Sequence, residues 1–76
     1  MNTDIDLKPV DTFLNSALWN EIVDEADYNI NARDMMEVVY IQVDSLHFFM
    51  QQQNHARVNR EYNELIKLIN IIQTTI

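Results

Sequence analysis

The stretch that decides the fold is residues 32–50, ARDMMEVVYIQVDSLHFFM. Apolar residues recur in it at every third or fourth position, which predicts one continuous face of an α-helix. We call this apolar face the seam of the helix, and its residues are Ala32, Met36, Val39, Val43, Leu46 and Met50. Ile41 and Phe48 fall on nearly the opposite side, beside Glu37 and Asp44. A helix with apolar groups on two sides needs two neighbours, or one neighbour and a partner molecule.

A second seam with the same alternation of spacings follows in the last third of the chain. Its residues are Val58, Tyr62, Leu65, Ile69, Ile72 and Ile76. Polar residues around Asn54 interrupt the pattern between the two seams, so we predict a turn there. Two matched seams joined by a short turn indicate an antiparallel hairpin of helices over about residues 32–52 and 56–74. We expect Asn31 to be the N-cap of the first of these helices.

The region before the hairpin predicts one further helix, over about residues 10–28. Pro9 suits its first turn, where the missing N–H would have no helical partner. Its apolar residues change face midway, so either it kinks near Asn15 and Ser16 or it touches two different neighbours along its length. Residues 1–8 read as a flexible acidic tail, from which Ile5 and Leu7 can pack onto the domain.

The composition supports an all-α fold. The chain has 76 residues, no glycine, one proline and 47% apolar residues, which is enough for a core but unsuited to tight hairpin turns. We therefore predict a single domain over residues 1–76 with three helices. In it, a short acidic helix covers the antiparallel hairpin, whose two helices carry the seams with their seven-residue (heptad) repeat. Because a domain of this size buries only about 60% of the surface that it exposes when unfolded, two hairpins can also pair into a helical-bundle homodimer, with or without this cover.

The formal charge of −7 is concentrated in residues 1–34. Direct binding of nucleic acid, which needs clustered lysine and arginine, is therefore disfavoured, and a basic protein partner is favoured. The chain has no cysteine for disulfides, no segment with the pattern of a signal peptide, and no apolar run long enough to span a membrane. We expect a cytoplasmic protein.

Catalytic and metal-binding motifs are missing from the sequence. Asp44 and His47 have the spacing of two metal ligands on one helix face, but carboxylate di-metal bundles need two such pairs and two further carboxylates. There is no glycine-rich phosphate loop, and the acidic residues all stand in polar stretches or on solvated faces. We predict no enzymatic activity, no metal and no cofactor.

Two groups of residues are candidates for contact with a partner. The first combines apolar groups and acids, as in helices that lie in grooves: Ile41, Phe48, Trp19, Glu37 and Asp44. The second is an acidic group that would steer a basic partner: Glu21, Asp24, Glu25 and Asp27. Each has a purely structural alternative. The 10–28 helix would cover Ile41 and Phe48, the acids would form an ordinary solvated face, and Trp19 would belong to the core.

Three functional hypotheses follow. The favoured one is a non-enzymatic binder that masks a basic or amphipathic protein partner, in the manner of inhibitors, antitoxins, immunity proteins or chaperone adaptors. The alternative is a DNA mimic, whose carboxylates imitate phosphates to block a nucleic-acid-binding protein. The third is a structural subunit that forms homodimeric bundles.

Overall fold

The computed structural model describes residues 5–75, which form four α-helices. These are α1 (Lys8–Leu14), α2 (Ala17–Glu25), α3 (Ile30–Gln51) and α4 (His55–Thr75). The all-α class is confirmed, and α3 and α4 pack against each other along the predicted hairpin. The prediction of three helices is wrong, because the region expected to hold one helix over residues 10–28 holds two.

The break between α1 and α2 is built by Ser16. Its backbone is extended (φ −79°, ψ 157°), which ends the helical path. Its hydroxyl donates to the carbonyl of Phe13 at 2.6 Å and accepts the N–H of Trp19 at 3.2 Å, so one side chain closes α1 and caps α2. The change of apolar face in the sequence thus marks both a kink and a change of neighbour: α1 packs on α4, and α2 packs on α3.

The core lies between the hairpin and the two short helices. Phe13 of α1 and Trp19 of α2 meet there with ring centroids 5.3 Å apart. The buried residues come from all four helices: Val10, Phe13, Trp19, Ile22, Ala32, Val39, Leu46, Val58, Leu65, Ile69 and Ile72. Both predicted seams supply this core, apart from the exposed Met50 and from Ile76, which lies outside the described residues.

The start of α3 differs from the prediction. Asn29, not Asn31, is the N-cap: its backbone is extended, and its side-chain oxygen accepts the N–H groups of Asn31 and Ala32 at 2.9 and 3.3 Å. An N-cap must stand just before the first helical residue. Because α3 begins at Ile30, two residues earlier than expected, Asn31 is already inside the helix.

The turn between α3 and α4 is a Schellman motif without glycine. The N–H of Gln53 donates to the carbonyl of Met50, and the N–H of Asn54 donates to the carbonyl of Phe49, both at 3.1 Å. Gln53 takes the left-handed conformation (φ 56°) that glycine usually supplies. The side chain of Asn54 then accepts the N–H of Arg57 at 3.2 Å, which places the turn where the sequence predicts it.

Residues 5–7 are packed on the domain, in the way that the sequence analysis allowed for Ile5 and Leu7. Ile5 and Leu7 are half-buried against the core. The hydroxyl of Tyr62 on α4 donates to the carbonyl of Asp6 at 2.6 Å, and the Asp6 carboxylate accepts the N–H of Lys8 at 3.0 Å. Two apolar side chains and one hydrogen bond therefore hold this segment; residues 1–4 lie outside the described chain.

Candidate partner-binding surface

The side of α3 that points away from the core carries a row of exposed residues, which we call the outer face of α3. Its members are Ile30, Asp34, Glu37, Ile41, Asp44 and Phe48, and all of them are exposed. With 3.6 residues per turn, steps of three, four, seven and eleven residues return to the same side of a helix. The buried residues Ala32, Val39 and Leu46 lie on the opposite side of α3.

In the described chain, residues 5–75, the two apolar residues that the sequence pattern singled out, Ile41 and Phe48, remain largely exposed. Ile41 is 65% exposed and Phe48 is 54% exposed. The first two helices do not reach them, because α1 packs on α4 and α2 packs on α3 away from the outer face. Among the aromatic rings of the described residues, that of Phe49 lies against Phe48, edge-on with centroids 5.2 Å apart. The structure therefore brings Ile41 and Phe48 together on open surface, 7 residues or about 10 Å apart along α3.

The outer face is also acidic. Asp34, Glu37 and Asp44 are exposed, and within residues 5–75 none of the three carboxylates forms an ion pair. The single basic residue of α3, Arg33, is engaged elsewhere: it donates to the backbone carbonyls of Ala26 and Asp27. Among the described residues, no ion pair neutralises these carboxylates, so the outer face presents negative charge next to exposed apolar groups.

Apolar and acidic residues are interleaved along the outer face of α3. Ile30, which is 71% exposed, precedes Asp34 and Glu37, and Asp44 lies between Ile41 and Phe48. A partner that complements this face therefore needs both apolar and cationic groups along the length of its contact.

Trp19 does not belong to this surface. It is 4% exposed, and its ring packs on Phe13 and edge-on against Tyr40 at a centroid distance of 5.6 Å. The prediction that Trp19 contacts a partner is corrected, because its side chain fills the space between α1, α2 and α3. The spacing of Trp19, Ile22 and Ala26 on one helical face is the signal of this core position.

The predicted acidic group is exposed throughout. Glu21, Asp24 and Glu25 point to solvent from α2, and Asp27 does so from the following turn. Negative charge near a helix C-terminus opposes the macrodipole. Arg33 counters it here, because its guanidinium donates to the Ala26 and Asp27 carbonyls at 3.0 and 3.3 Å. Arg33, although it belongs to the first turn of α3, therefore stabilises the end of α2.

A shallow groove between α3 and α4 extends the apolar surface beside the outer face, with a volume of about 260 Å³. Val38 (49% exposed) and Ile71 (59% exposed) contribute its apolar walls. Lys67 and Glu64 stand at its rim and pair with each other at 3.9 Å. The sequence offered one signal for this groove, the position of Ile71 away from the α4 seam.

A larger groove of about 440 Å³ lies between α1 and α4. Phe13, Ile66 and Ile69 form its apolar lining, and Lys8 and Asn70 are among its polar residues. No buried polar or charged side chain occurs within residues 5–75. Lys8, Asn70 and the further polar lining residues Asp6, Thr12 and Gln73 are exposed at its walls.

The described chain holds no ready metal centre. Within residues 5–75, no group of three or more His, Cys, Asp or Glu side chains is close enough to bind a metal ion. The exposed His47 therefore has no set of ligands to join. What the outer face of α3 offers chemically is apolar area for burial and negative charge for attraction.

None of the helices in the described region is both long enough and apolar enough to cross a membrane.

Comparisons with known proteins add no functional assignment. No protein family, curated protein or solved structure was found to match this chain. The geometry of the outer face of α3 is therefore the basis for the proposal that follows.

Proposed function

We propose that this protein is a non-enzymatic binder that masks a basic amphipathic helix of a partner protein on the outer face of α3. The observation that carries the proposal is the exposure of Ile41 and Phe48 beside the carboxylates of Glu37 and Asp44, which form no ion pair within residues 5–75. An amphipathic helix docks through apolar anchors one and two turns apart, and its cations favour an acidic rim.

The size of the apolar contact indicates what else the partner must supply. Full burial of a side chain such as Ile or Phe contributes roughly 1.5–3 kcal/mol, and Ile41 and Phe48 are already partly buried. Two such residues form the centre of an interface and not the whole of it. Charge attraction to the acids on the same face then favours basic partners over neutral ones.

The acids of α2 fit the same proposal in a different role. Glu21, Asp24, Glu25 and Asp27 are exposed, and together with the overall charge of −7 they create a negative potential around the molecule. Such a field increases the rate at which a basic partner approaches, and salt screens it. We assign these residues to steering and the outer face of α3 to docking.

The test is capture of partners from cytosolic extract, the compartment expected from the sequence, with three immobilised proteins. These are the wild type, Phe48→Asp, and Asn63→Asp, which adds the same charge at an exposed position on α4. We expect the wild type and Asn63→Asp to retain the same basic protein and Phe48→Asp to lose it. Circular dichroism should show all three to be equally helical. Retention by Phe48→Asp, or its unfolding, would remove Phe48 from the docking surface.

The DNA-mimic hypothesis has one observation in its favour: the carboxylates of α2, of the following turn and of the outer face of α3 are all exposed. Ionic strength separates it from helix docking. A mimic that replaces phosphates should lose affinity steeply between low and moderate salt, whereas docking centred on Ile41 and Phe48 should respond weakly. A steep loss of affinity that Phe48→Asp leaves unchanged would favour the mimic.

Self-association through the same face is disfavoured by its charge. In a two-fold dimer the same patch meets itself, which would bring the exposed Glu37 and Asp44 of one copy close to those of the other. Like charges brought together in this way repel. Sedimentation that shows a concentration-dependent dimer, abolished by Phe48→Asp, would instead support the structural homodimer.

A further inference from the structure

We infer that the partner helix lies along the groove between α3 and α4 and carries its cations on one flank only, the flank that lies over α3. This inference rests on the proposed function and adds where the partner lies and how its charges are distributed around its axis. Either direction of the partner chain satisfies it. Its basis is the opposite charge of the two walls of the groove.

The first step is the position of the partner helix beside α3. Val38 is 49% exposed, and it lies on the side of α3 that forms the groove with α4. Across the groove, Ile71 of α4 is 59% exposed, and the half-buried Leu68 also lines the groove. A helix seated over the groove therefore covers apolar groups of two helices, whereas a helix on top of α3 alone would leave Val38 and Ile71 in water.

The second step is the charge on the α3 side of the groove. Asp34, Glu37 and Asp44 are exposed along the outer face of α3, and that row contains no lysine or arginine. Arg33, the single lysine or arginine of α3, is bonded to the carbonyls at the end of α2. The α3 side of the groove is therefore negative.

The α4 side carries the opposite charge. Five exposed residues follow one another there at steps of three and four, so they share one side of the helix, and we call them the α4 wall: Arg57, Arg60, Glu64, Lys67 and Ile71. The last three line the groove, and the guanidinium of Arg57 lies 4.6 Å from the ring centroid of Phe49 on α3. The single carboxylate of the wall is paired with Lys67 at 3.9 Å. The α4 wall is therefore net positive.

The third step combines the two walls. Cations of a helix in the groove are attracted by the carboxylates of α3 and repelled by the net positive charge of the α4 wall. A helix with cations on one flank of its apolar stripe satisfies both walls, whereas a helix with cations on both flanks must place some of them against Arg60 and Lys67. Turning a helix end over end exchanges its two flanks. The flank that carries the cations therefore decides the direction in which the partner runs.

The experiment uses the full chain and three synthetic peptides of equal composition, each three heptads (a–g) long with capped ends. All three carry Leu at positions a and d, which form the apolar stripe, in an Ala-Gln background. The first has Arg at e and b, on one flank, and the second has Arg at g and c, on the other flank. The third has Arg at e and g, on both flanks. The peptides are used at concentrations at which sedimentation shows them to be monomeric.

Affinity is measured by calorimetry at low salt. We expect each one-flank peptide to bind roughly tenfold more tightly than the two-flank peptide, because none of its cations faces the α4 wall. Salt at about 0.5 M should reduce this preference to less than about threefold, since it screens exposed charges. Equal or tighter binding of the two-flank peptide at low salt would overturn the inference.

Nitroxide labels at the N-termini of the two one-flank peptides test the link between flank and direction. The label should broaden the backbone amide signals around Asp34 with one peptide and those around Phe48 with the other. The two peptides would then run in opposite directions along the groove. Broadening at the same end by both peptides would show that the flank of the cations does not orient the helix, and would contradict the inference.

A charge reversal tests the α4 wall. Lys67→Glu should let the two-flank peptide bind nearly as tightly as the one-flank peptides, because it removes a repelling cation and supplies a carboxylate. The control is Lys8→Glu, which makes the same change of net charge at an exposed position on α1 and should preserve the roughly tenfold preference. Equal effects of the two variants would assign the preference to net charge and overturn the role of the α4 wall.

The position of the helix in the groove is tested with Ile71→Ser, which removes exposed apolar surface from the α4 side. We expect the one-flank peptides to bind about threefold more weakly, with circular dichroism of the protein unchanged. Unchanged binding would place the peptides on α3 alone. A dimer of the free protein that Ile71→Ser disrupts would assign the groove to a second copy of the chain. Either result would overturn the inference.

Failure of the proposed function has a different signature. If none of the peptides binds, or if Phe48→Asp leaves the binding of all three unchanged, the outer face of α3 is not part of the docking surface, and this inference falls with it. If binding depends on Phe48 but the one-flank and two-flank peptides bind equally, the docking surface stands and only the distribution of charge on the partner is wrong.

Discussion

Arg33, in the first turn of α3, donates through Nε to the carbonyl of Ala26 at 3.0 Å and so caps the end of α2. A second bond from its guanidinium reaches the carbonyl of Asp27 at 3.3 Å. One side chain thus satisfies two backbone carbonyls where α2 ends, in a part of the chain that is rich in carboxylates. The arrangement joins two helices that the sequence places in separate elements.

Removal of this cap should destabilise the protein measurably. We expect Arg33→Met to lower the free energy of unfolding by about 1 kcal/mol, because charged hydrogen bonds at a helix end contribute at this level when partly exposed. The measurement is urea denaturation followed by circular dichroism. Arg60→Met is the control, since it removes the same charge from an exposed position on α4. An equal effect of both variants would assign the loss to net charge and not to the cap.

Replacing the left-handed residue of the α3–α4 turn should instead stabilise the protein. Gln53→Gly should stabilise the protein by up to about 1 kcal/mol, because glycine adopts a positive φ without the penalty that a Cβ atom incurs. Gln52→Gly is the matched control one residue earlier, where φ is −77° and glycine brings only added freedom in the unfolded chain. The midpoint temperature of thermal unfolding should therefore rise for Gln53→Gly and fall for Gln52→Gly.

Ser16 should matter more than its size suggests. Ser16→Ala removes both the cap of α2 and the bond to the Phe13 carbonyl, so we expect a loss of about 1–2 kcal/mol in the free energy of unfolding. Ser45→Ala, inside α3, should be neutral or slightly stabilising because alanine is the better helix former. Denaturant titrations of the two variants provide the comparison. Equal stability of Ser16→Ala and wild type would contradict the capping role.

Substitution of two aromatic residues should distinguish a core position from a surface position. Trp19→Ala should cost about 3–5 kcal/mol, as for other large side chains removed from a core, whereas Phe48→Ala should stay within about 1 kcal/mol of wild type. A chain of this length is stabilised by roughly 4–11 kcal/mol in total, so the Trp19 variant is expected to unfold over a broad, low-temperature range. Thermal melts followed by circular dichroism test both. A large loss for Phe48→Ala would place its ring in the core.

The periodic parts of the sequence predicted their own structure well. The seams of α3 and α4 repeat every three to four residues over many turns, and such long patterns leave one helical face to bury. The turn near Asn54 was predictable for the same reason, because the apolar pattern stops there. The exposure of Ile41 and Phe48 was not predictable, since it depends on where α1 and α2 pack. That choice is made by tertiary contacts and not by local spacing.

The errors fall where a single side chain decides the geometry. The break near Asn15 and Ser16 was one of two alternatives that the sequence left open, whereas the cap at Asn29 was assigned to Asn31. Each depends on one hydrogen-bonding group that competes with a similar neighbour. The role of Arg33 depends on a contact across seven residues, between two helices. Trp19 was a candidate for the partner surface with a core position as the alternative, and the structure gives it the core position.

The burial of Trp19 has a spectroscopic consequence. It is the single tryptophan of the chain, and it lies among Phe13 and Tyr40 instead of on the outer face of α3. Its fluorescence emission should therefore shift to longer wavelength when the core opens and stay in place when a ligand without tryptophan covers Ile41 and Phe48. The protein thus carries an internal reporter that distinguishes loss of folding from loss of binding.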